Sequence, residues 1–375
     1  MWQEFRSEFP ITEKYIYLNH AAVGPLSARI RDRVDRTVRL FMEEGGLCFE
    51  TVKEEIEKVR ENAAELIGAS REEISFIANT TSGVLLAAGA VQWNSGDNVV
   101  LPSIEFPANV YPWMALKKKG VEIRMVPPAG GRVTSEALME NCDSRTRMVT
   151  VSLVQFSNGY RINLEELGNF CREQGILLHV DGIQGLGAVN TDLGKVKVDF
   201  LSAGGHKWLL SLGGAGIFYC RKELAEELEI PNPGWTGVQD FMNFLDYRFE
   251  YRRDGTRFEE GTLNAAGIAA LGASLERFLE IGMNRVEERI RELTGTLARS
   301  LAERGYTIKS PLGEEERSGI LSFTHPGHGP AGIYESLISN NIIVSLREGA
   351  VRVSPHFYNS IEEINRVIEI LDRKK

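Results

Sequence analysis

The sequence predicts an α/β fold in which a large domain, built on a mostly parallel sheet of seven strands, precedes a smaller α+β domain. Short apolar runs alternate with segments of helical spacing through the middle of the 375-residue chain. This alternation is typical of a parallel sheet that is covered by helices on both faces. The pattern changes after residue 262, because 263–303 has the composition of one or two long helices. We therefore expect 16–262 to form the large domain and 263–375 the small one, with 1–15 packing against the small domain.

The candidate strands are short apolar runs. In the large domain they are 74–77, 98–101, 122–126, 148–153, 176–180, 198–201 and 216–220. In the C-terminal part we expect strands at 319–323, 342–345 and 350–353.

Helices are predicted from apolar stripes and from capping residues at their first turns. A stripe covers 51–67, and a further helix is expected over 331–339. Asn163, with Glu166 three residues later, approaches a capping box for a helix over 163–174. Ser360 and Glu363 fit the same signal at the last helix. The loop 230–258 is long, aromatic and charged, and loops of that length are usually functional.

Composition and charge exclude several classes of protein. Hydrophobic residues make up 43% and charged residues 25%, as in ordinary globular proteins, which excludes a disordered or collagen-like chain. The net charge of −9 disfavours nucleic acid and acidic membranes as partners, and no apolar run approaches a membrane span.

Cysteine and histidine usage bears on compartment and on metals. The four cysteines are far apart and form no C-x-x-C motif, so zinc-ribbon and thioredoxin-like sites are excluded. So few cysteines suggest a reducing compartment, and the first ten residues lack the features of a signal peptide. We therefore predict a cytoplasmic protein. No metal site is predicted, because His325 and His328 have no carboxylate cluster beside them.

The strongest chemical signal is an aspartate and a lysine, each near the end of a predicted strand. Asp181 follows the run 176–180, and Lys207 follows the run 198–201 in a Gly-Gly-His-Lys turn. In open parallel sheets, ligands bind outside the carboxyl ends of the strands. The separation of 26 residues is about one helix and one strand. We therefore expect the two side chains to face one cleft.

A lysine and a carboxylate at one sheet edge suit pyridoxal 5′-phosphate. The lysine amine forms a Schiff base with the aldehyde, and partial burial lowers the pKa of the amine. A carboxylate beside the pyridine nitrogen keeps that nitrogen protonated, which makes the ring an electron sink. The structural alternative is that Asp181 caps a helix and Lys207 is a solvated loop residue. The pair together, with its flanking motifs, favours the cofactor site.

Motifs over nearly the whole chain resemble the class V aminotransferase superfamily of fold-type I pyridoxal-phosphate enzymes. That group contains cysteine desulfurases, selenocysteine lyases, kynureninases and isopenicillin N epimerases. The motifs are YLNHAAVGPL (17–26), FIANTTSG (76–83), EFPANVYPW (105–113), HVDGIQGLG (179–187), GGHKWLL (204–210), RFEEGTLN (257–264) and VRVSPHFYNS (351–360). The resemblance implies a fold-type I architecture, pyridoxal 5′-phosphate as cofactor and an amino acid as substrate.

The resemblance places the cofactor phosphate at Thr80 and Thr81. They follow a strand and open a helical run, and free N–H groups at a helix start favour phosphate. A plain N-cap is the alternative. His206 is similar to a family histidine that contacts the phosphate. Gly204 stands where some members have a phosphate-binding serine, so we expect that contact to be lost or replaced.

Three further residues are implied near the cofactor ring. Phe106 lies where the desulfurases carry a histidine that stacks on the ring; a phenylalanine stacks but transfers no proton. Its alternative is an ordinary core aromatic. Gln184 resembles a residue that reaches the phenolic oxygen, and Gln155 either reaches the same neighbourhood or structures its loop.

The resemblance also implies substrate and partner-subunit contacts. Arg352 resembles the arginine that holds the substrate α-carboxylate, a task that suits its planar fork, and Arg347 is a second cation nearby. The alternative for both arginines is a surface ion pair. His20 and Asn19 resemble the N-terminal segment that lines the pocket.

Two residues, Thr262 and Trp235, resemble segments that reach the cofactor phosphate of a neighbouring subunit. If they do so here, the protein is a homodimer with a shared active site.

The choice among possible reactions turns on a cysteine-bearing loop of the desulfurases, which this chain lacks. Cysteine desulfurases carry a cysteine between segments similar to SLREG and VRVSPHFYN, and these adjoin here at 347–352 with no cysteine near. Persulfide chemistry on that cysteine is therefore disfavoured. Transamination with a 2-oxo acid as second substrate is slightly preferred over β-elimination by a cysteine or cystine C–S lyase, and epimerisation comes third. A non-catalytic cofactor-binding protein is the alternative from another class, and retention of Lys207, Asp181 and Arg352 argues against it.

Overall fold

The structure is a computed structural model that describes residues 2–373. Its helices are α1 (Trp2–Arg6), α2 (Ala28–Glu44), α3 (Phe49–Ile67), α4 (Thr80–Ala90), α5 (Tyr111–Met114) and α6 (Ser135–Glu140). They continue with α7 (Leu164–Gln174), α8 (Lys222–Glu227), α9 (Ala265–Ile281), α10 (Met283–Ala302), α11 (Pro330–Ile338) and α12 (Ile361–Asp372).

The strands are distributed over three sheets. They are β1 (Ile16–Tyr17), β2 (Ile74–Ile77), β3 (Asn98–Pro102), β4 (Glu122–Val126), β5 (Thr146–Ser152), β6 (Leu177–Asp181) and β7 (Phe200–Gly204). They continue with β8 (Gly216–Cys220), β9 (Thr307–Ile308), β10 (Leu321–Thr324), β11 (Ile342–Ile343), β12 (Ser345–Arg347) and β13 (Ala350–Val353).

The large sheet has seven strands in the order β2-β8-β7-β6-β5-β3-β4. The strands from β4 to β7 run parallel, and β8 is antiparallel to both of its neighbours. Every residue of β2, β3, β7 and β8 is buried, as expected for a sheet covered on both faces. The predicted mostly parallel seven-stranded sheet is confirmed, with strand boundaries that shift by a few residues.

The register of the sheet brings chemistry-bearing residues to one edge. Ser152 at the end of β5 pairs with Asp181 at the end of β6, and Asp181 pairs with Ser202 in β7. Lys207 follows β7 by three residues. The carboxyl ends of β5, β6 and β7 therefore meet where ligands bind in open α/β sheets.

Several helices begin at the side-chain caps that the sequence indicates. Ser360 accepts a hydrogen bond from the backbone of Glu363, which completes a capping box at α12. The Asn163 side chain accepts a hydrogen bond from the N–H of Glu166 at α7, and Asn79 caps α4 in the same way. A polar group at each first turn satisfies backbone donors that have no partner within the helix.

The C-terminal part forms an antiparallel sheet in the order β12-β13-β10-β9, with α11 packed on it and α12 packed against α10 and α11. Two elements lie across the predicted domain boundaries. β1 pairs with β11, so Ile16–Tyr17 joins the small domain. α9 packs on α2 and α3 and contributes to the core of the large domain. The division at 16 and 262 itself stays a prediction.

The N-terminal segment contacts the C-terminal part of the chain. The rings of Trp2 and Phe5 pack against Phe357. Arg6 forms an ion pair with Glu363 in α12 at 2.9 Å.

β12 and β13 are joined by a hairpin of two residues, Glu348 and Gly349. Arg347 pairs with Ala350 across the turn. Both turn residues have positive φ, 46° and 70°, as a right-twisted two-residue hairpin requires. No inserted loop separates the two strands, so Arg347 and Arg352 lie on adjacent strands of one hairpin.

Within residues 2–373, no helix is long and apolar enough to span a lipid bilayer.

Candidate active site

A cavity of about 430 Å³ opens at the carboxyl edge of the large sheet. This volume falls in the range of about 300–1,000 Å³ that is usual for small-ligand pockets. The predicted site residues that line it are Thr80, Thr81, Phe106, Asp181, Gln184, His206, Lys207, Arg347 and Arg352. Residues from both sequence halves thus converge on one cavity.

Asp181 ends β6 and lies at the floor of the cavity. It is 2% exposed, and its Oδ1 accepts a hydrogen bond from the N–H of Ile183 at 3.0 Å. Burial raises the pKa of this carboxyl, the nearby Glu105 adds to the rise, and Lys207 opposes it. The described residues form no salt bridge with Asp181, so Oδ2 is available to a cationic ligand group.

Lys207 lies in the turn after β7 and is largely buried. Its Nζ is 5.4 Å from the centroid of the Phe106 ring. Burial lowers the pKa of the amine, Asp181 raises it, and Arg352 and Arg347 lower it further. The neutral amine, which is the nucleophilic and basic form, is therefore more populated near neutral pH than that of a free lysine.

The N-terminus of α4 faces the cavity through Thr80 and Thr81. The first N–H groups of a helix have no intrahelical partner and favour an anion. Half-buried His206 lines the same cavity, and burial together with Lys207 lowers its pKa. The Gly204 N–H donates to Thr80 Oγ1 at 3.0 Å, and a Cβ at Gly204 would lie 3.1 Å from His206 Nδ1. A serine at position 204 would therefore require the His206 ring to move by a few tenths of an ångström.

Gln184 is buried, and its amide is held at both ends. Nε2 donates to the carbonyl of Ala21 at 3.0 Å, and Oε1 accepts from the indole of Trp208 at 2.8 Å. One N–H of the amide is left over for a ligand. Phe106 is 43% exposed and meets Phe156 edge-to-face at 5.4 Å between centroids. The two rings form an apolar wall of the cavity.

Arg352 is only 2% exposed, although it is a cation. Its Nη1 donates to the carbonyl of Phe156 at 2.5 Å and its Nε to Ser345 Oγ at 3.2 Å. Burial, with the nearby Arg347, lowers the pKa of the guanidinium to about 10, so it stays charged at neutral pH. Arg347 is exposed and donates to the carbonyl of Leu346. Among the ion pairs of the described residues, none includes either arginine, so the alternative of a surface ion pair is not observed.

The structure does not bring three predicted residues into this cavity. His20 is fully buried, with Nδ1 bonded to the Ser354 carbonyl and Nε2 to the Tyr358 hydroxyl. Burial lowers the pKa of His20 to about 3, so it is a neutral core residue. Neither His20 nor Asn19 lines the cavity, where Ala21–Val23 lie instead, and their expected substrate contacts stay predictions. Gln155 donates to Glu105 at 2.7 Å and has the loop-structuring role that was its alternative.

Thr262 and Trp235 also lie outside this cavity. Thr262 is exposed and lines a second cavity of about 570 Å³ that reaches Ser82 of α4. Trp235 is 48% exposed, and its indole lies close to Gly261. Neither residue lines the first cavity of its own chain.

Sequence reasoning missed several residues of the site. Phe156 and Ile183 line the cavity, and each follows the end of a predicted strand. That position was the signal that could have found them. Asn79 also lines it, one residue before α4. Glu105, behind Phe106, gave no signal of its burial, because acidic residues are rarely buried.

None of the four cysteines lines the cavity. All are free thiols, and Cys48, Cys171 and Cys220 are buried. Burial raises the pKa of Cys142 to about 11 and that of Cys220 well above its usual value, so neither is a reactive thiolate. Within residues 2–373, no His/Cys/Asp/Glu cluster could hold a metal ion.

Comparison with known proteins finds relatives that match almost the whole chain. The chain is 28% identical to a probable cysteine desulfurase of Methanothermobacter thermautotrophicus over 99% of this chain and 97% of that protein. It is 25% identical to the uncharacterized aminotransferase YcbU of Bacillus subtilis, over 99% and 98%.

Solved structures share the fold over the whole chain. The apo cysteine desulfurase from Thermococcus onnurineus NA1 superposes with a TM-score of 0.90 at 25% identity, covering 99% of this chain and 97% of that one. The cystine C–S lyase C-DES, in complex with cysteine persulfide, superposes with a TM-score of 0.89 at 22% identity, covering 97% of this chain and 98% of that one. At that identity the likeness shows a shared fold alone. The predicted fold-type I architecture is confirmed.

The family model of class-V aminotransferases matches residues 48–367. This range includes the large sheet, the cavity and the hairpin with both arginines. The chain belongs to the class-V aminotransferase family, whose members are pyridoxal-phosphate enzymes.

Proposed function

We propose that this protein is a pyridoxal-phosphate-dependent aminotransferase that acts on an L-α-amino acid through Lys207. The observation that carries the proposal is the position of the Lys207 amine. It is buried over the Phe106 ring, in one cavity with Asp181 and with two arginines that no carboxylate of the described residues pairs. A nucleophile, a ring-nitrogen partner and a carboxylate receptor are thus assembled in one place.

The residues of the cavity fit the cofactor. Thr80 and Thr81 at the start of α4, with His206, form a receptor for its phosphate. Buried Asp181 offers a free carboxylate oxygen for the protonated pyridine nitrogen. Phe106 offers a flat apolar face for the ring, and the spare N–H of Gln184 suits the phenolic oxygen. When bound, the cofactor supplies an electron sink for negative charge developed at the substrate α-carbon.

The protein's own side chains divide the remaining work. Arg352 receives the α-carboxylate, because its fork is held in place by Phe156 and Ser345 and Nη2 is not used by either bond. Lys207 would take the proton from the substrate α-carbon and deliver it to the former aldehyde carbon of the cofactor, since its amine pKa is lowered. Phe106 has no ionisable group, so it excludes water and transfers no proton.

β-Elimination in the manner of a C–S lyase is the second candidate, and a specific observation favours it. Relatives are named cysteine desulfurase or cystine C–S lyase, yet no cysteine of this chain lines the cavity. The two-residue hairpin leaves no loop to carry one. A sulfur substrate would therefore be cleaved with proton transfer by Lys207 alone and without a persulfide on the protein.

The visible absorption band of the bound cofactor separates these reactions. Purified holoprotein is mixed with a panel of L-amino acids, including cysteine and cystine, without an acceptor. We expect the band to bleach and to return when a 2-oxo acid is added, which identifies that acid as the second substrate. A persistent band with accumulating pyruvate identifies the lyase instead. Full turnover by Lys207→Ala, or a wild-type protein that takes up no cofactor, contradicts the proposal.

We further propose that the active site is shared in a homodimer. An aromatic segment over 235–249 is open to solvent, with Leu245 85% and Tyr247 88% exposed. Single chains rarely expose so much contiguous apolar surface unless a partner covers it. Thr262 lies beside it at the cavity that reaches Ser82. Light scattering should give twice the chain mass, and Thr262→Ala should lower cofactor affinity. A monomer with full cofactor affinity contradicts this.

A cytoplasmic location stays a prediction. It is supported by four free thiols and by the absence of any disulfide among the described residues.

A further inference from the structure

A buried carboxyl, Glu105, lies directly behind the apolar wall of the cavity. It is 7% exposed, and no salt bridge of the described residues includes it. Burial raises its pKa, and hydrogen bonds partly offset the rise. A carboxyl that is buried without a counter-ion is costly, so a specific task has to retain it.

Neutral donors satisfy both oxygens of Glu105. Oε1 accepts from the Ser152 N–H at 2.8 Å and from Gln155 Nε2 at 2.7 Å. Oε2 accepts from Asn109 Nδ2 at 3.1 Å and contacts Ser152 Oγ. These donors belong to two segments, since Asn109 follows β3 while Ser152 and Gln155 lie at the end of β5 and just after it.

Each of these contacts holds a residue next to a wall of the cavity. Glu105 precedes Phe106, and Gln155 precedes Phe156, so the hydrogen bond between Glu105 and Gln155 fixes this edge-to-face pair of rings. The carbonyl of Phe156 in turn receives Nη1 of Arg352. The wall and the guanidinium therefore depend on one carboxyl.

The same carboxyl reaches the other half of the site through Ser152. Ser152 pairs with Asp181 across β5 and β6, and the N–H of Leu153 donates to the carbonyl of Asp181. The carboxylate that faces the ring nitrogen and the arginine that faces the substrate are thus joined through Glu105.

We propose that Glu105 is a positioning residue that sets the distance between the cofactor half of the site (Asp181, Phe106) and the substrate half (Phe156, Arg352). The inference rests on the proposed function, since it assigns these halves to cofactor and amino acid. Glu105 touches neither, and acts through Gln155 and Ser152.

Two variants distinguish the contact of Glu105 with Gln155 from its other contacts. Glu105→Gln keeps the shape, but its NH₂ faces an N–H donor in either orientation, because both oxygens of Glu105 accept from nitrogen. Gln155→Ala removes only the link to Phe156 and Arg352. Asp199→Asn is the matched control. Asp199 is also a buried acid that accepts a backbone N–H, from Leu178 at 2.9 Å, but it lies at the opposite edge of the sheet.

The measurements are cofactor affinity, the circular dichroism of the bound cofactor, KM and kcat, each on holoprotein of known melting temperature. We expect Glu105→Gln to weaken cofactor binding, to change the dichroic band and to raise KM about tenfold, the effect of about one lost hydrogen bond. Gln155→Ala should raise KM and leave cofactor affinity near wild type. Asp199→Asn should lower the melting temperature and change neither quantity.

The proposal is overturned if Glu105→Gln and Gln155→Ala fold and keep wild-type KM, cofactor affinity and dichroism. It is equally overturned if Asp199→Asn changes them as much, because the effect would then be loss of stability. A wild-type protein with no cofactor band would instead contradict the proposed function, so the two failures are distinguishable.

Discussion

Replacement of Arg352 by lysine tests the carboxylate receptor most directly. The substitution keeps the positive charge and about the same length, but it replaces a planar fork by a single nitrogen. In the structure the fork is already divided, with Nη1 on the Phe156 carbonyl and Nε on Ser345 Oγ. The single amine of a lysine at position 352 would donate either to the Phe156 carbonyl or to the substrate carboxylate.

The magnitude follows from the bonds that are lost. Hydrogen bonds to charged groups contribute about 1.5–3 kcal/mol each. A lysine loses about one such bond to the α-carboxylate, so kcat/KM should fall by about 10–100-fold. Most of the loss should appear in KM, since the charge is retained and Lys207 is not altered.

The hairpin supplies its own control. Arg347→Lys changes the same residue type five positions away, but Arg347 is exposed and donates only to the neighbouring Leu346 carbonyl. Its replacement keeps a positive charge at the cavity and breaks no buried hydrogen bond, so it should lower kcat/KM less than Arg352→Lys does. The assay is steady-state turnover of the best amino acid from the panel, together with the affinity for its 2-oxo acid.

The reasoning would be refuted by an Arg352→Lys protein with wild-type KM and oxo-acid affinity. It would also be refuted if Arg347→Lys caused the larger loss. Either result would show that the substrate carboxylate is received elsewhere.

Three further predictions concern stability and protonation. Arg60→Ala should lower the free energy of unfolding, measured in urea, by about 3–5 kcal/mol, because the buried carboxylate of Glu259 loses its partner at 2.7 Å. A loss below about 1 kcal/mol would contradict this. Glu348→Asn should raise the unfolding free energy by up to about 1 kcal/mol, since asparagine adopts positive φ more readily, and a loss of stability would show that Glu348 has another role. The pH dependence of cofactor uptake by the apoprotein should have its midpoint below pH 10.5, the ordinary lysine pKa, because burial lowers the pKa of Lys207. Arg347→Gln removes one of the cations that lower it, so the midpoint should move to higher pH; an unchanged or lower midpoint contradicts the assignment.

The strands and the edge residues of the large sheet could be predicted because their signals are local. An apolar run with a turn at its end indicates a buried strand, whatever it pairs with. Asp181 and Lys207 each follow such a run, and the parallel arrangement alone brings them to one edge. Caps such as Ser360 with Glu363 span only four residues and were found for the same reason.

The partners of each side chain depend on contacts between distant segments. Local sequence patterns did not reveal those contacts. His20 was expected to line the pocket, yet its ring is held by Ser354 and Tyr358, more than 330 positions away. Periodicity cannot show that α9 packs on α2 and α3, since an apolar helix fits either domain.

By itself, then, the sequence determined the fold class, the family and the residues at the strand ends, because each depends on local pattern and short motifs. The tertiary structure decided which of those residues share one cavity, that Arg352 is buried without a counter-ion, and that Glu105 joins Phe106, Phe156 and Asp181. Burial and hydrogen bonding are properties of the packed chain. The same acidic or basic residue type is solvated at one position and desolvated at another, and only packing distinguishes the two.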